Sequence, residues 1–200
     1  MAKNQDDVYT RMIKTGLNLF RKKGYANTGI QEIINKSKTS KGGFYYYFKS
    51  KEDFAIKVIE AHTDTLLENL AKALERFEGT ALQKVKMAIE ERVNYFDSIK
   101  YVRGSLLAQL LAEASERQLP VLKAVNESYE RIYVFGAEAF AEAQQANEIN
   151  KTYTPKELTV FMYSGLEGAL LNARAEKSKY PLMVFQQLIF GFFDSLKTES

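Results

Sequence analysis

The stretch Ser40-Lys41-Gly42-Gly43-Phe44-Tyr45-Tyr46-Tyr47-Phe48-Lys49-Ser50-Lys51-Glu52-Asp53 decides how this chain folds. Ser50, with Glu52 and Asp53 behind it, has the form of a helix N-cap followed by a first turn rich in acids. A short helix, about Lys41 to Phe48, fits before it. Phe44 and Phe48 stand four residues apart on one face of that helix, so both read as core. Tyr45, Tyr46 and Tyr47 are consecutive and point in three directions, so at least one of them is structural. A polar turn, Ser37–Ser40, precedes this helix. Before the turn lies another short helix, packing through Ile30, Ile33 and Ile34. Its opening, Thr28-Gly29-Ile30-Gln31, has the spacing of a capping box. Further back, Val8, Met12, Ile13, Leu17 and Phe20 form one apolar stripe, giving a first helix over about 6–23. Arg21, Lys22 and Lys23 suit its C-terminal dipole, and Gly24 supplies a left-handed stop.

Working outward, helical periodicity continues to the end of the chain and strand-like alternation is missing, so the fold class is all-α. Helix 4 runs from Ser50 to near Glu78-Gly79. Thr80-Ala81-Leu82-Gln83 is a second box and opens helix 5, which reaches about Ser98. Helix 6 spans about 102–116, and helix 7 about 120–146. Thr154-Pro155-Lys156-Glu157 combines cap, N1 proline and N3 acid at the start of helix 8. Tyr180-Pro181 breaks that helix, and helix 9 runs from Pro181 to about Leu196.

Charge divides the chain unevenly. Residues 1–51 hold 11 Lys and Arg against three acids (Asp6, Asp7 and Glu32), a net of +8, whereas the other 149 residues carry −5. A basic head on an acidic body suits a polyanion partner, although a chance cluster of solvated lysines gives the same balance. There are no cysteines, which removes disulfides and thiolate chemistry and fits a reducing cytoplasm. The first ten residues are polar, without the apolar core of a signal peptide. No apolar run nears the roughly 18 residues of a membrane span. A cytoplasmic protein without membrane contact is expected. One histidine, His62, and no Gly-rich phosphate loop leave little material for catalysis or metal binding, so no enzyme, metal or cofactor is expected.

Helix, short helix, tight turn, short helix within fifty residues is the form of a helix-turn-helix. Arg11-x-Ile13, Leu19-Phe20, Gly24-Tyr25, Thr28-x-Ile30-x-x-Ile33, Ser40-Lys41-Gly42-x-Phe44-Tyr45-x-Tyr47-Phe48 and Ser50-Lys51-Glu52 resemble the DNA-binding domain of the TetR family of transcriptional regulators. The resemblance is dense over about residues 9–55. It implies a DNA-binding domain at 1–50 and a ligand-binding and dimerisation domain at 51–200. It also implies roles at single positions. The Thr28 hydroxyl and nearby amides would meet a phosphate, and Gln31 a base or a phosphate. Lys41 and Gly43 would open the recognition helix at the groove, Gly43 by permitting close approach. Tyr45 and Tyr46 would touch backbone or thymine methyls, Tyr47 a phosphate, and Lys51 would clamp a phosphate. Lys38 departs from the pattern, because the family usually has glycine there. Either it takes the left-handed conformation at about 1 kcal/mol or the turn has another form.

In the body, Tyr163-Ser164-Gly165-Leu166-Glu167-Gly168-Ala169 resembles the family's dimer helix. Gly165 and Gly168 remove bulk, and helix 9 adds Phe185, Leu188, Ile189, Phe192 and Phe193. A homodimer through helices 8 and 9 is expected, with Gly165, Gly168, Leu188 and Phe192 at the interface. Packing within one chain is the alternative. Arg103-Gly104-Ser105-Leu106-Leu107-Ala108-Gln109-Leu110 resembles a subgroup that includes repressors of electrophile-detoxifying reductases. Ser105 stands where that subgroup has cysteine, so sensing by a thiol is excluded. Tyr95, Phe96, Gln109, Glu113, Tyr129, Tyr133 and Phe161 are candidates for a pocket holding a non-covalent small-molecule effector, although aromatics at helical spacing equally make core. The whole points to a ligand-released repressor that binds a pseudo-palindromic double-stranded operator as a dimer. A helical protein–protein adaptor would share the body but would not need the basic head.

Overall fold

The structure, a computed structural model, describes residues 2–101, 104–113 and 119–198, with residues 2–6 described by their backbone alone. Nine α-helices and no strand occur among them: α1 (Ala2–Lys23), α2 (Ile30–Ser37), α3 (Lys41–Tyr47), α4 (Lys51–Arg76), α5 (Ala81–Ser98), α6 (Leu106–Glu113), α7 (Leu119–Gln145), α8 (Pro155–Glu176) and α9 (Tyr180–Ser195). The chain is all-α, as its periodicity requires. The expected outer ends of helix 6, Val102-Arg103 and Ala114–Glu116, lie outside the described residues. Gly104 and Ser105 are not helical, and the Ser105 hydroxyl accepts from the Ala108 N–H at 3.4 Å.

The helices sort into two compact units. Met1–Thr65 with Ser105–Tyr129 supply one, and Leu66–Gly104 with Glu130–Ser200 supply the other, so residues of α4 and of α7 contribute to both. In the first unit Met12, Ile13 and Phe20 of the α1 stripe are buried, Val8 and Leu17 are half-buried, and Leu19 beside the stripe is buried as well. Phe54 of α4 sits at the centre of a cluster of rings, 4.8 Å from Phe48, 5.4 Å from Phe44 and 5.9 Å from Phe20. Burying a ring of this size contributes on the order of 1.5–3 kcal/mol. Gly16 permits the approach of α4, since a Cβ there would lie 2.4 Å from the Phe54 ring. Gly24 ends α1 with φ +84° and donates its N–H to the Phe20 carbonyl at 2.8 Å.

In the second unit, one face of α5 (Leu82, Val85, Ile89, Val93 and Phe96) joins Phe140 of α7, Leu158, Leu166 and Leu170 of α8, and Leu182, Ile189 and Phe193 of α9. Both expected capping boxes form: Thr80 with Gln83 at the start of α5, and Thr154 with Glu157 at the start of α8, where Pro155 takes the first helical turn. The α5 terminus has a second cap. Glu148, from the loop after α7, accepts the N–H groups of Ala81 at 3.1 Å and Leu82 at 2.9 Å. Burial raises the Glu148 carboxyl pKa, but the hydrogen bonds from Thr80, Leu82 and Ala81 outweigh burial and hold it below the ordinary value. No helix among the described residues is long and apolar enough to cross a membrane.

Candidate functional site

The tight turn between α2 and α3 closes on Lys38. Its φ of 53° is left-handed, and its N–H reaches the carbonyls of Asn35 and Ile34. The side chain therefore occupies a position that glycine usually fills, and of the two forms left open by the sequence this is the one adopted. From α1, Arg11 donates its Nε–H to the Ser37 carbonyl at 2.7 Å, which satisfies the end of α2. Ser40 then caps α3, its hydroxyl accepting from the Gly43 N–H at 2.9 Å. A Cβ at Gly43 would meet the Thr39 hydroxyl at 2.7 Å, so a side chain there would make Thr39 turn away.

Helix α3 is anchored by its two phenylalanines and turns the other side outward. Phe44 and Phe48 are buried, while Tyr45 is 46% and Tyr46 72% exposed. Tyr47 is half-buried, with its ring 5.6 Å from that of Tyr9 and 4.8 Å from that of Tyr46. It is the tyrosine with a structural part, as the helical geometry demands of one of the three. Lys41 and Gln31 are exposed, and Gln31 donates to the Asn35 side chain at 2.9 Å.

Thr28 differs from expectation. It is buried, and its hydroxyl donates to the Gly24 carbonyl at 2.7 Å in place of standing at the surface. Nor does it cap α2: the N-cap is Gly29, with no side-chain cap bond. The capping-box spacing was a coincidence, because the preceding turn folds back on Gly24 and takes the hydroxyl inward. The open Gly29, with no atom within 4 Å of a would-be Cβ, leaves the first turn of α2 approachable. Glu32, the acid of that turn, pairs with Lys23 and, at 3.1 Å, with Lys36, and these partners hold its carboxyl below the ordinary range.

Lys51 opens α4 behind Ser50, whose hydroxyl accepts from the Asp53 N–H at 3.0 Å. Its Nζ lies 4.2 Å from the Tyr25 ring centre and 3.4 Å from the Ala26 carbonyl. Burial lowers the ammonium pKa, opposed by the charge of Glu113. That glutamate, on α6, accepts the Ala26 N–H at 3.1 Å and the Gln109 side chain at 3.2 Å. Of the two residues expected in a pocket, Glu113 therefore holds the turn between α1 and α2, and Gln109 is bonded to Glu113, both within the first unit. His62 lies in this unit as well, its Nδ1 3.3 Å from the Arg21 guanidinium. No group of three or more potential metal ligands occurs among the described residues.

The second unit contains a cavity of about 100 Å³, bounded by Leu66 and Leu70 of α4, Ile132 and Phe135 of α7, and Met162 and Leu166 of α8, with Arg92 of α5 also on its wall. None of the seven pocket candidates lines it. Tyr133 stands one ring away, 6.0 Å from Tyr163 of the wall. Phe96 is core, Tyr95 and Phe161 are exposed, and Tyr129 belongs to the first unit. The wall residues are aliphatic for the most part, and in the sequence nothing separates a Leu that faces a cavity from one that fills a core.

The four interface candidates also divide. Gly165 accommodates its own chain, since a Cβ there would lie 2.7 Å from the Phe185 ring of α9. Gly168 has nothing within 4 Å. Leu188 is 67% exposed. Phe192 is half-buried, its ring 5.4 Å from that of Phe161 and 5.9 Å from that of Tyr153. Phe161 and Gly168, seven residues apart, share a face of α8.

Residues 12–58 match the family described as bacterial regulatory proteins, tetR family, and residues 81–189 match a tetracyclin repressor-like C-terminal domain. The chain is 30% identical over 179 residues to the transcriptional regulator AcuR of Cereibacter sphaeroides, covering 87% of this chain and 80% of that protein. It is 23% identical over 178 residues to the HTH-type transcriptional repressor NemR of Escherichia coli, covering 89% of each. The crystal structure of the regulatory protein TetR from Rhodobacter sphaeroides aligns with a TM-score of 0.80 at 26% identity, over 91% of this chain and 96% of that one. These relatives are regulators and not enzymes. With both halves matched, the chain belongs to the TetR family of bacterial transcriptional regulators.

Proposed function

We propose that this regulator is a repressor that binds a pseudo-palindromic operator as a homodimer in the cytoplasm and leaves it when a small molecule occupies the second unit. The observation that carries the DNA-binding part is the face of α3. Tyr45, Tyr46 and Lys41 stand in solvent on a helix pinned from behind by Phe44 and Phe48, with Lys51 beside it. Each of the two rings has one aromatic neighbour on α3 itself and leaves much of its surface in solvent, which is useful in a groove, where rings contact thymine methyls and sugars. Cations around them neutralise phosphates. The two-fold repeat of the operator would follow from a dimer through Gly168, Leu188 and the Phe161–Phe192 edge, with half-sites about 34–36 Å apart or a multiple of that.

The apolar cavity supports the effector part. Leu66 and Leu70 on its wall belong to the same helix, α4, that begins with Lys51. An occupant that favours one placing of α4 biases the clamp at its other end. Release then needs only that the effector bind the DNA-incompetent state more tightly. With no cysteine in the chain, the occupant is held without a thiol adduct.

Selection of duplexes from a random pool by the purified protein tests the proposal. Inverted repeats are expected, with affinity falling steeply as salt rises. Enrichment of no sequence, or of unsymmetrical sites bound by a monomer, would overturn it.

A further inference from the structure

We propose that the effector is an acidic amphiphile: a compact apolar group of one ring or a short alkyl chain, carrying a carboxylate-type anion that Arg92 receives. This rests on the reading of the cavity as the effector site. The apolar half follows from the wall, where Leu66, Leu70, Ile132, Phe135, Met162 and Leu166 offer no hydrogen-bonding group. Of the wall's two hydroxyls, on Thr159 and Tyr163, that of Thr159 is committed to the Pro155 carbonyl at 2.8 Å. At about 100 Å³ the space is smaller than the 150 Å³ apolar cavity that takes benzene, so the enclosed part of the ligand is small.

The anionic half follows from Arg92. It is half-buried on α5, its stem lines the same cavity, and its guanidinium is stacked 4.8 Å from the Phe96 ring centre and 5.9 Å from that of Tyr95. Among the described residues no carboxylate pairs with it. An arginine keeps its charge at any physiological pH, and stacking fixes the plane of its fork without using its N–H donors. A half-buried cation of this kind beside an apolar hollow is left with donors in search of an acceptor. A planar carboxylate, with two oxygens at the spacing of the fork, fits them. A neutral ligand of the same shape would leave them unused.

Hexanoate and benzoate, set against hexanol and benzyl alcohol, separate the two halves. Binding is followed by calorimetry on the full chain, and operator release by fluorescence anisotropy. The acids are expected to bind roughly tenfold or more tighter than the alcohols, the range of a charge-assisted hydrogen bond. Arg92→Gln, which keeps most of the stem over Phe96, should bring the acid-to-alcohol ratio near one, while Arg92→Lys should keep part of it. Ala88→Leu, on the cavity wall, should weaken both kinds of ligand. Equal binding of acids and alcohols, or an acid preference that survives Arg92→Gln, overturns the anion claim and leaves the cavity as the effector site. Failure of every probe to bind overturns both, as does binding that Ala88→Leu does not weaken.

Discussion

Lys51 holds its ammonium 4.2 Å above the centre of the Tyr25 ring, at the place where α4 begins. A lysine on a flexible stem is thereby kept at one position before DNA arrives, which lowers the entropy lost on meeting a phosphate. Lys51→Ala is expected to weaken binding to all duplexes alike and to flatten the salt dependence by about one unit. Tyr25→Leu should give a smaller, similarly sequence-blind loss. Anisotropy titrations between low and high salt check both, and an unchanged slope in Lys51→Ala would remove the clamp.

The two sides of α3 should respond oppositely to truncation. Tyr45→Ala removes a half-exposed ring, so subunit stability should change by less than about 1 kcal/mol, while operator affinity falls by about 1–3 kcal/mol and affinity for random DNA less. Phe44→Ala empties a buried site among three rings and should destabilise the first unit by about 3–5 kcal/mol. Thermal melts beside operator titrations separate the outcomes. A Tyr45→Ala variant that melts early but binds normally would reverse the assignment.

Gly165 and Gly168 are three residues apart and predict different failures. Gly165→Ala drives a methyl to within 2.7 Å of the Phe185 ring, and overpacking of this kind destabilises by about 1–3 kcal/mol, offset in part by the better helix propensity of alanine. Gly168→Arg meets open space within the subunit and should leave its melting nearly unchanged while abolishing the dimer. Sedimentation at micromolar concentration reads the second. A Gly168→Arg dimer would remove this face of α8 from the interface.

Glu148 gives a pH dependence. Its carboxyl pKa lies below the ordinary value of 4.5 in the fold, so its charged form stabilises the native state. That stability is fully present above about pH 4.5 and is lost as pH falls through the lower, folded value. Glu148→Gln should lower stability at pH 7, because the α5 amides of Ala81 and Leu82 lose a charged acceptor, and should make little difference in acid. Denaturant melts at pH 7 and pH 3 check this. An equal loss at both would point to packing in place of charge.

The sequence by itself determined the nine helices, their caps at Ser50, Thr80 and Thr154, the burial of Phe44 and Phe48, and the family. Each of these rests on short-range spacing: caps act over three residues, a helical face repeats at four, and the recognition-helix motif is contiguous. Tertiary structure alone decided what depends on residues far apart in the chain. Thr28 has the spacing of a cap and became an internal donor to Gly24, because the turn between them folds back. Glu113 and Gln109 resemble pocket residues along α6, but Glu113 was claimed by the Ala26 N–H, 87 residues away in the chain, and Gln109 by Glu113. Gly165 and Gly168 read alike until Phe185 fell against one of them. The cavity is lined by leucines and isoleucines that carry no sign of it, since an apolar side chain facing a void and one facing a neighbour obey the same periodicity. Only the positions of four separate helices leave the space between them unfilled.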